Sequence, residues 1–337
     1  MRHSRWLVLT LLALVTALVL GTVPALGVHD EREIHGDITS TVTIDENSKL
    51  TGDVECLQST GPCIRFGGPG IRLDLNGFTM TGPANHPPGA NCATDFADQD
   101  GIQSTFDDVV IQGPGLVQGM RRHGIALIGT SAADPVERAV VKKLVSHQNC
   151  FSGIFLGFVN NSLVDGVVSA RNSAASAGRP CGGVCVTNSN NNRVRRSEFL
   201  GNGSIALGGP PGPVPNDFGV GLVGSSSGNI IEENGIGGNI NGLALFPLGS
   251  ATPTGNLIRK NVIVGNPPIE VSADNPGINP VGADIRDFSE AGSNTFEDNL
   301  CITYTGATDP PPCPNLTRFA GHRNNHGGGG GDGGDDD

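Results

Sequence analysis

The sequence predicts an all-β solenoid. Three observations carry this: a composition hostile to long helices, a nine-residue segment that recurs with its ends kept, and short apolar alternations between the recurrences. The chain has 337 residues, with 51 Gly, 23 Pro and only four Lys. Gly and Pro interrupt helices, whereas short strands joined by tight turns accommodate both. Val, Ile and Leu recur at fixed intervals, which excludes a collagen-like or disordered chain.

The first element is the N-terminal stretch. "MRHSRWLVLTLLALVTALVLGTVPALG" has a basic start, an apolar run from Leu7 to Leu20, then small residues. It reads as a secretory signal peptide over residues 1–27, cleaved after Ala25 or Gly27. The competing reading is an uncleaved anchor helix. Cleavage makes the chain secreted or periplasmic, with no later segment apolar enough to span a membrane. Eight Cys in an exported chain suggest disulfides. Cys56/Cys63, Cys181/Cys185 and Cys301/Cys313 are close pairs, which leaves Cys92 with Cys150. A zinc site at "CGGVC" lacks a second pair of matching spacing.

Formal net charge is −12, and losing Arg2 and Arg5 with the signal segment gives −14. Such a surface repels nucleic acid and anionic lipid. It also repels acidic polysaccharide, except where a bound cation or a local basic patch intervenes.

The repeats come next. Val141–Asn149, Val164–Asn172, Val194–Asn202, Ile231–Asn239 and Ile258–Asn266 each start with Val or Ile and end with Asn. The Asn positions lie 23, 30, 37 and 27 residues apart. Insertions that leave the register intact belong to loops on a solenoid. Between the segments, Gly precedes alternating apolar residues: "DGIQ" from Asp100, "HGIALIG" from His123, "SGIFLG" from Ser152 and "NGLALF" from Asn241. Alternation of period two marks strands with one face inward. A unit this small buries its apolar face only by stacking on its neighbours. Val141, Val164, Val194, Ile231 and Ile258 should therefore form one buried column.

These motifs resemble the right-handed parallel β-helix proteins of the pectate-lyase-like group. The stretch "IRLDLNGFTMTGP", residues 71–83, is similar to the opening turn of many such proteins. The resemblance covers roughly residues 34–304. It implies a right-handed parallel β-helix of about eight to ten coils within residues 28–322. It also implies a monomer whose partner is an extracellular polysaccharide, bound or processed by lyase, hydrolase or epimerase chemistry. A non-catalytic structural solenoid is the alternative. Residues 323–337 read as a flexible acidic tail, whose carboxylates could hold calcium weakly.

Two columns follow from the stacking. The nine-residue segments place Asn149, Asn172, Asn202, Asn239 and Asn266 at a corner, where Asn tolerates a left-handed backbone and can bond the amide one coil above. Their second positions, followed by that of Phe296–Tyr304, which fits the start of the pattern but not its end, read Lys142, Asp165, Arg195, Glu232, Arg259, Glu297, alternating in sign at every step. That is a ladder of ion pairs worth about 0.2–1 kcal/mol each when exposed.

The candidate site comes from the residue before each Gly. It gives Asp100, His123 and Ser152 on successive coils, an order that permits carboxylate, imidazole and hydroxyl to interact, with His123 as base and Asp100 as its partner. Arg121 and Arg122 stand beside the column as substrate-binding cations. Asp107, Asp108 and His147 lie in the same coils and complete the candidate catalytic set. The bland reading is a surface column of polar side chains. The signatures of pectin hydrolases are met only in part, by Asp107-Asp108, "RHGI" and "LIRK". Aromatics are scarce: Trp6 and Tyr304 are the only Trp and Tyr, and Phe151, Phe155 and Phe158 read mainly as core.

Overall fold

The computed structural model describes residues 31–58, 60–83, 99–172, 182–203, 218–266 and 283–313. Every regular element among them is a strand. Three strands make one coil, and each belongs to its own parallel sheet. In the coil of His123 these are Ile125–Ile128 in the first sheet, Val140–Lys142 in the second and Val145–His147 in the third, with the two-residue strand Val136–Glu137 added before the second, where it pairs with Val159–Asn160. The first sheet has ten strands, from Val42–Ile44 to Tyr304–Thr305, in agreement with the number of coils expected. The second and third sheets share the long strand Ser48–Cys56 and, with Arg32–Ile38, contain 18 strands. The chain is therefore a parallel β-helix of three sheets.

The nine-residue segment is a second-sheet strand, a corner, a third-sheet strand and a second corner. Its first residues stack as expected: Val141 pairs with Val164, Val194 with Ile231, and Ile231 with Ile258. All five residues of that column are buried.

The Asn column stacks too, but not for the backbone reason expected. Asn149, Asn172, Asn202, Asn239 and Asn266 are all buried, and none has a positive φ. The left-handed residue is the one before: Gln148 (φ 53°), Arg171 (55°), Gly201 (59°), Gly238 (69°) and Gly265 (72°). That bend turns the following Asn inward, where its amide serves two coils. Asn172 donates from Nδ2 to Asn202 Oδ1 at 3.1 Å, and its backbone N–H donates to the same oxygen at 3.0 Å. Asn202 repeats both bonds to Asn239 at 2.9 Å. Buried polar groups need such partners.

Each of the other two corners has its own ladder. Asn192, Asn229, Asn256 and Asn294 bond in series before the second sheet. Asn234, Asn261 and Asn299 do so between the second and third. This decodes the stretch "GNLIRKNVIVGN". Gly255, Lys260 and Gly265 are left-handed, and each is followed by a ladder Asn, at 256, 261 and 266. One bend and one inward amide recur every five residues.

The glycine of the "GI" motif is a steric requirement. A Cβ on Gly153 would lie 2.0 Å from Ser169 Oγ and 2.8 Å from Asn172 Nδ2. The chain enters the first sheet against the Asn ladder, and no side chain fits between.

The charge ladder holds in register, with Lys142 beside Asp165, Arg195 beside Glu232, and Arg259 beside Glu297. Arg195 meets Asp165 at 3.1 Å and Arg259 meets Glu232 at 2.7 Å. Arg193, two residues before Arg195 on the same strand, adds a second cation on Glu232. Glu232 is not an exposed member, since its side chain is only 2 % accessible. Burial pushes its pKa up, but the hydrogen bonds from Arg259 and Arg193 outweigh this and hold it below the usual glutamate range. Its stabilisation is thus present above the unfolded pKa and lost as pH falls through the folded one. Glu232→Gln should cost about 1–3 kcal/mol in urea unfolding, less than breaking a wholly buried pair, because both guanidinium groups reach solvent. An unchanged midpoint would show the ladder to be decorative.

Two of the four expected disulfides lie within the described residues. Cys56–Cys63 and Cys301–Cys313 have Cα separations of 5.6 and 4.9 Å. Cys150 and Cys185 are also disulfide-bonded; Cys92 and Cys181 lie outside the described residues, as do the signal segment and the tail. No helix of the described residues is long and apolar enough to cross a membrane.

Candidate functional site

The first sheet positions the candidate residues. Ile102, Ile125 and Ile154 pair in register and point inward. Asp100, His123 and Ser152 each lie two residues before these, so they occupy equivalent places on three successive coils. Main-chain bonds tie them together: Gly101 N–H donates to the His123 carbonyl at 2.9 Å, and Gly124 N–H to the Ser152 carbonyl at 3.1 Å. The side chains are all buried.

Contact within the column runs through backbone amides. Asp100 Oδ1 accepts the His123 backbone N–H at 3.1 Å. Its Oδ2 accepts from Gln103 Nε2 at 3.1 Å and lies 3.8 Å from Arg122 Nη1. His123 Nδ1 accepts the Ser152 backbone N–H at 3.3 Å. Ser152 Oγ finds no hydrogen-bond partner among the described residues.

The His123 ring is held by aromatics. It stacks on Phe155, with centroids 4.6 Å apart and planes 11° from parallel, and meets Phe151 at 5.9 Å. Of the three phenylalanines expected in the core, only Phe151 is fully buried. Phe155 sits on the outward side of its strand, in register with Ala126 and Cys185. Phe158 has φ 53° and makes a corner. Strict alternation assigns these sides: Ile154 and Leu156 face in, so Phe155 faces out.

The first sheet differs from the other two in having part of its outward face buried. The outward residues Ala126, Cys185 and Ala244 are as buried as the inward ones, whereas Thr43 and Arg65 are exposed. Arg121, Arg122, Gln103 and Phe155 stay partly exposed at its margin. Farther along the same face, Phe246 meets Phe288 edge-on at 5.1 Å, and the Arg286 guanidinium lies 4.5 Å over the Phe288 ring. Sequence reasoning missed Gln103, Phe246, Arg286 and Phe288. The available signal was their outward parity, one position after an inward residue of the first sheet.

The other candidates lie elsewhere on the coil. Asp107 and Asp108 are at the corner leading to the second sheet, where Arg138 pairs with both, at 3.5 and 2.7 Å, and with Glu137. The Arg138 hydrogen bond keeps Asp108 below the usual carboxylate range. No group of acidic, Cys or His residues among the described residues is arranged to hold a metal ion.

His147 ends a third-sheet strand beside Gln118 and Ala170. Burial, then the Arg171 charge, pushes its pKa below the ordinary histidine value of about 6.5. The unfolded chain therefore binds this proton more readily than the folded one. Stability is unaffected by His147 above about pH 7 and declines as pH falls through about 6.5. His147→Gln should reduce that decline in thermal melts taken between about pH 7.5 and 5.5. A parallel pair of profiles would exclude this contribution.

The family described as "Right handed beta helix region" matches residues 99–300. No curated protein matches the sequence. Among solved structures, full-length tailspike protein 2 from Escherichia coli O157:H7 bacteriophage CAB120 is similar at 12 % identity and a TM-score of 0.52, covering 81 % of this chain and 37 % of that chain. The Dettilon tailspike protein is similar at 15 % identity and 0.54, covering 80 % and 55 %. The enzymatically active domain of bacteriophage CBA120 tailspike protein 2 is similar at 14 % and 0.53, covering 81 % and 41 %. The chain thus spans between about a third and just over half the length of those proteins.

Proposed function

Since the chain belongs to the right-handed β-helix family, we propose that it acts outside the cytoplasm on a polysaccharide, bound or processed at the margin of its first sheet. The observation that carries this reading is the polar knot of Asp100, Gln103 and Arg122 beside the ring-stacked His123. Guanidinium and amide groups suit sugar hydroxyls and carboxylates, and a ring face suits the apolar side of a sugar. Arg122, paired with Asp100, and Arg121 beside it stand at the same margin. Asp107, Asp108 and His147 would act, if at all, at separate places on the coil. Export is supported by the disulfides, and an enzymatic role by the active tailspike domain of similar fold.

A non-catalytic solenoid is the second reading, and one observation favours it. Asp100 and His123 bond main-chain amides rather than each other's side chains, and the Ser152 hydroxyl is bonded to neither. The test is a screen of pectin, alginate, chondroitin and neutral glycans, with and without calcium, for binding and for product release. Turnover or saturable binding of any of them supports the first reading. Silence on all of them replaces it with the second.

A further inference from the structure

The outward face of the third sheet is apolar and partly open to solvent. Each of its short strands turns the middle residue inward and the flanking residues outward. Over the six strands from Val145–His147 to Leu300–Cys301, Glu198 is the only Asp, Glu, Lys or Arg among the outward residues. The outward positions of the second sheet carry the charge ladder instead. Leu200, Val262, Leu300 and, just beyond it, Ile302 are 39, 47, 53 and 52 % exposed. Single exposed apolar side chains are ordinary, but a row of them on adjoining coils marks a surface that binds something. Between Leu200 and Val264 runs the strand Gly235–Gly237, which presents no outward side chain and leaves a trough one strand wide.

We propose that this face binds a second copy of the same chain, in a weak two-fold dimer, in place of the monomer that the resemblance implies. The axis lies parallel to the strands, between Glu198–Leu200 and Gly235–Gly237, so that two such faces meet with their coils running in opposite directions. Leu200 then enters the trough at the partner's Gly237. Val168 and Ala170 meet the partner's Val262 and the partner's Val264. The corner before the third sheet is self-complementary about the same axis. Its left-handed residues read Lys143, Gly166, Arg196, Glu233, Lys260 and Asp298, all exposed except the glycines' missing side chains. Reversed against itself, this column sets Arg196 opposite the partner's Glu233 and Lys143 opposite the partner's Asp298, with no like-charged pair. A glycan is a poor match, because the outward side chains here are mostly aliphatic and offer few groups to sugar hydroxyls. Size decides the strength. Six strands of three residues give a footprint of about 300 Å² before the corners are added, against about 800 Å² per partner in a standard interface. The carboxylate of Glu198 also loses water over the partner's Gly235. Both keep the dimer weak and reversible. None of this depends on the polysaccharide reading.

The experiment follows the exported chain by sedimentation equilibrium from about 10 μM to about 1 mM, with circular dichroism as the check on folding. The wild type should pass from monomer toward dimer across that range. Leu200→Glu and Val262→Glu, both at exposed side chains, should each weaken association at least about tenfold. Glu198→Gln should strengthen it by about threefold or more, since no charge is then desolvated. Leu248→Glu, at an exposed leucine in the turn between the first and second sheets, should leave it unchanged. Val262→Cys reports what covers the face, in a chain with no free cysteine among its described residues. Its reaction with a maleimide should slow as the dimer forms. A monomer in which this cysteine is already shielded would make another segment of the chain the occupant. A monomer shielded only by added maltohexaose or alginate would make a glycan the occupant, and an open cysteine in a monomer would leave the face with none. Each of these outcomes, or a dimer indifferent to Leu200→Glu and Val262→Glu, overturns the proposal.

Discussion

Asn202→Ala should destabilise the β-helix by about 2–5 kcal/mol, measured by urea unfolding. The side chain of Asn202 accepts from the Asn172 backbone N–H at 3.0 Å and donates to the Ser169 carbonyl at 3.1 Å. Both groups are buried, and alanine leaves both without a partner, at about 1–3 kcal/mol each. The loss also cuts the ladder in two, because Asn172 Nδ2 and Asn239 Oδ1 both bond this amide. Asn160 is the control. Its Oδ1 accepts the Asn190 N–H at 2.8 Å, but it lies half-buried at a corner where water can substitute. Asn160→Ala should cost under about 1 kcal/mol. Equal costs for the two variants would mean that burial of the ladder is not what gives it strength.

His123→Ala should lower turnover of a processed glycan by about 10²-fold or more with the fold intact. The variant removes the ring stacked on Phe155 and the acceptor of the Ser152 N–H, so folding is checked by circular dichroism beside the rates. Arg259→Ala is the comparison. Arg259 bonds Glu232 on the second sheet, away from the column, and its loss should change stability slightly and turnover little. Full activity in both variants would place the chemistry elsewhere on the solenoid.

The architecture was legible because a stacked fold repeats its constraints. An inward apolar column must reappear once per coil, so Val141, Val164, Val194, Ile231 and Ile258 announce one another across insertions of any length. The sign alternation from Lys142 to Glu297 was legible for the same reason, since parallel register sets like positions side by side. Asp100, His123 and Ser152 share a column because that register extends to the residue before each "GI" glycine.

What lay beyond the sequence was the direction of each group within its position. Gln148, Arg171 and Gly201 have little in common chemically, yet all three are left-handed because the corner, not the side chain, demands it. The same bend turns the next Asn inward, which makes its amide a bond between coils. Register could place His123 above Ser152, but only packing against Phe151 and Phe155 could direct Nδ1 to a backbone N–H instead of a hydroxyl. Sequence alone determined which residues are neighbours, since neighbour relations in a solenoid are periodic. The tertiary structure decided which atoms meet, since that depends on rotamers set by side chains from adjoining coils.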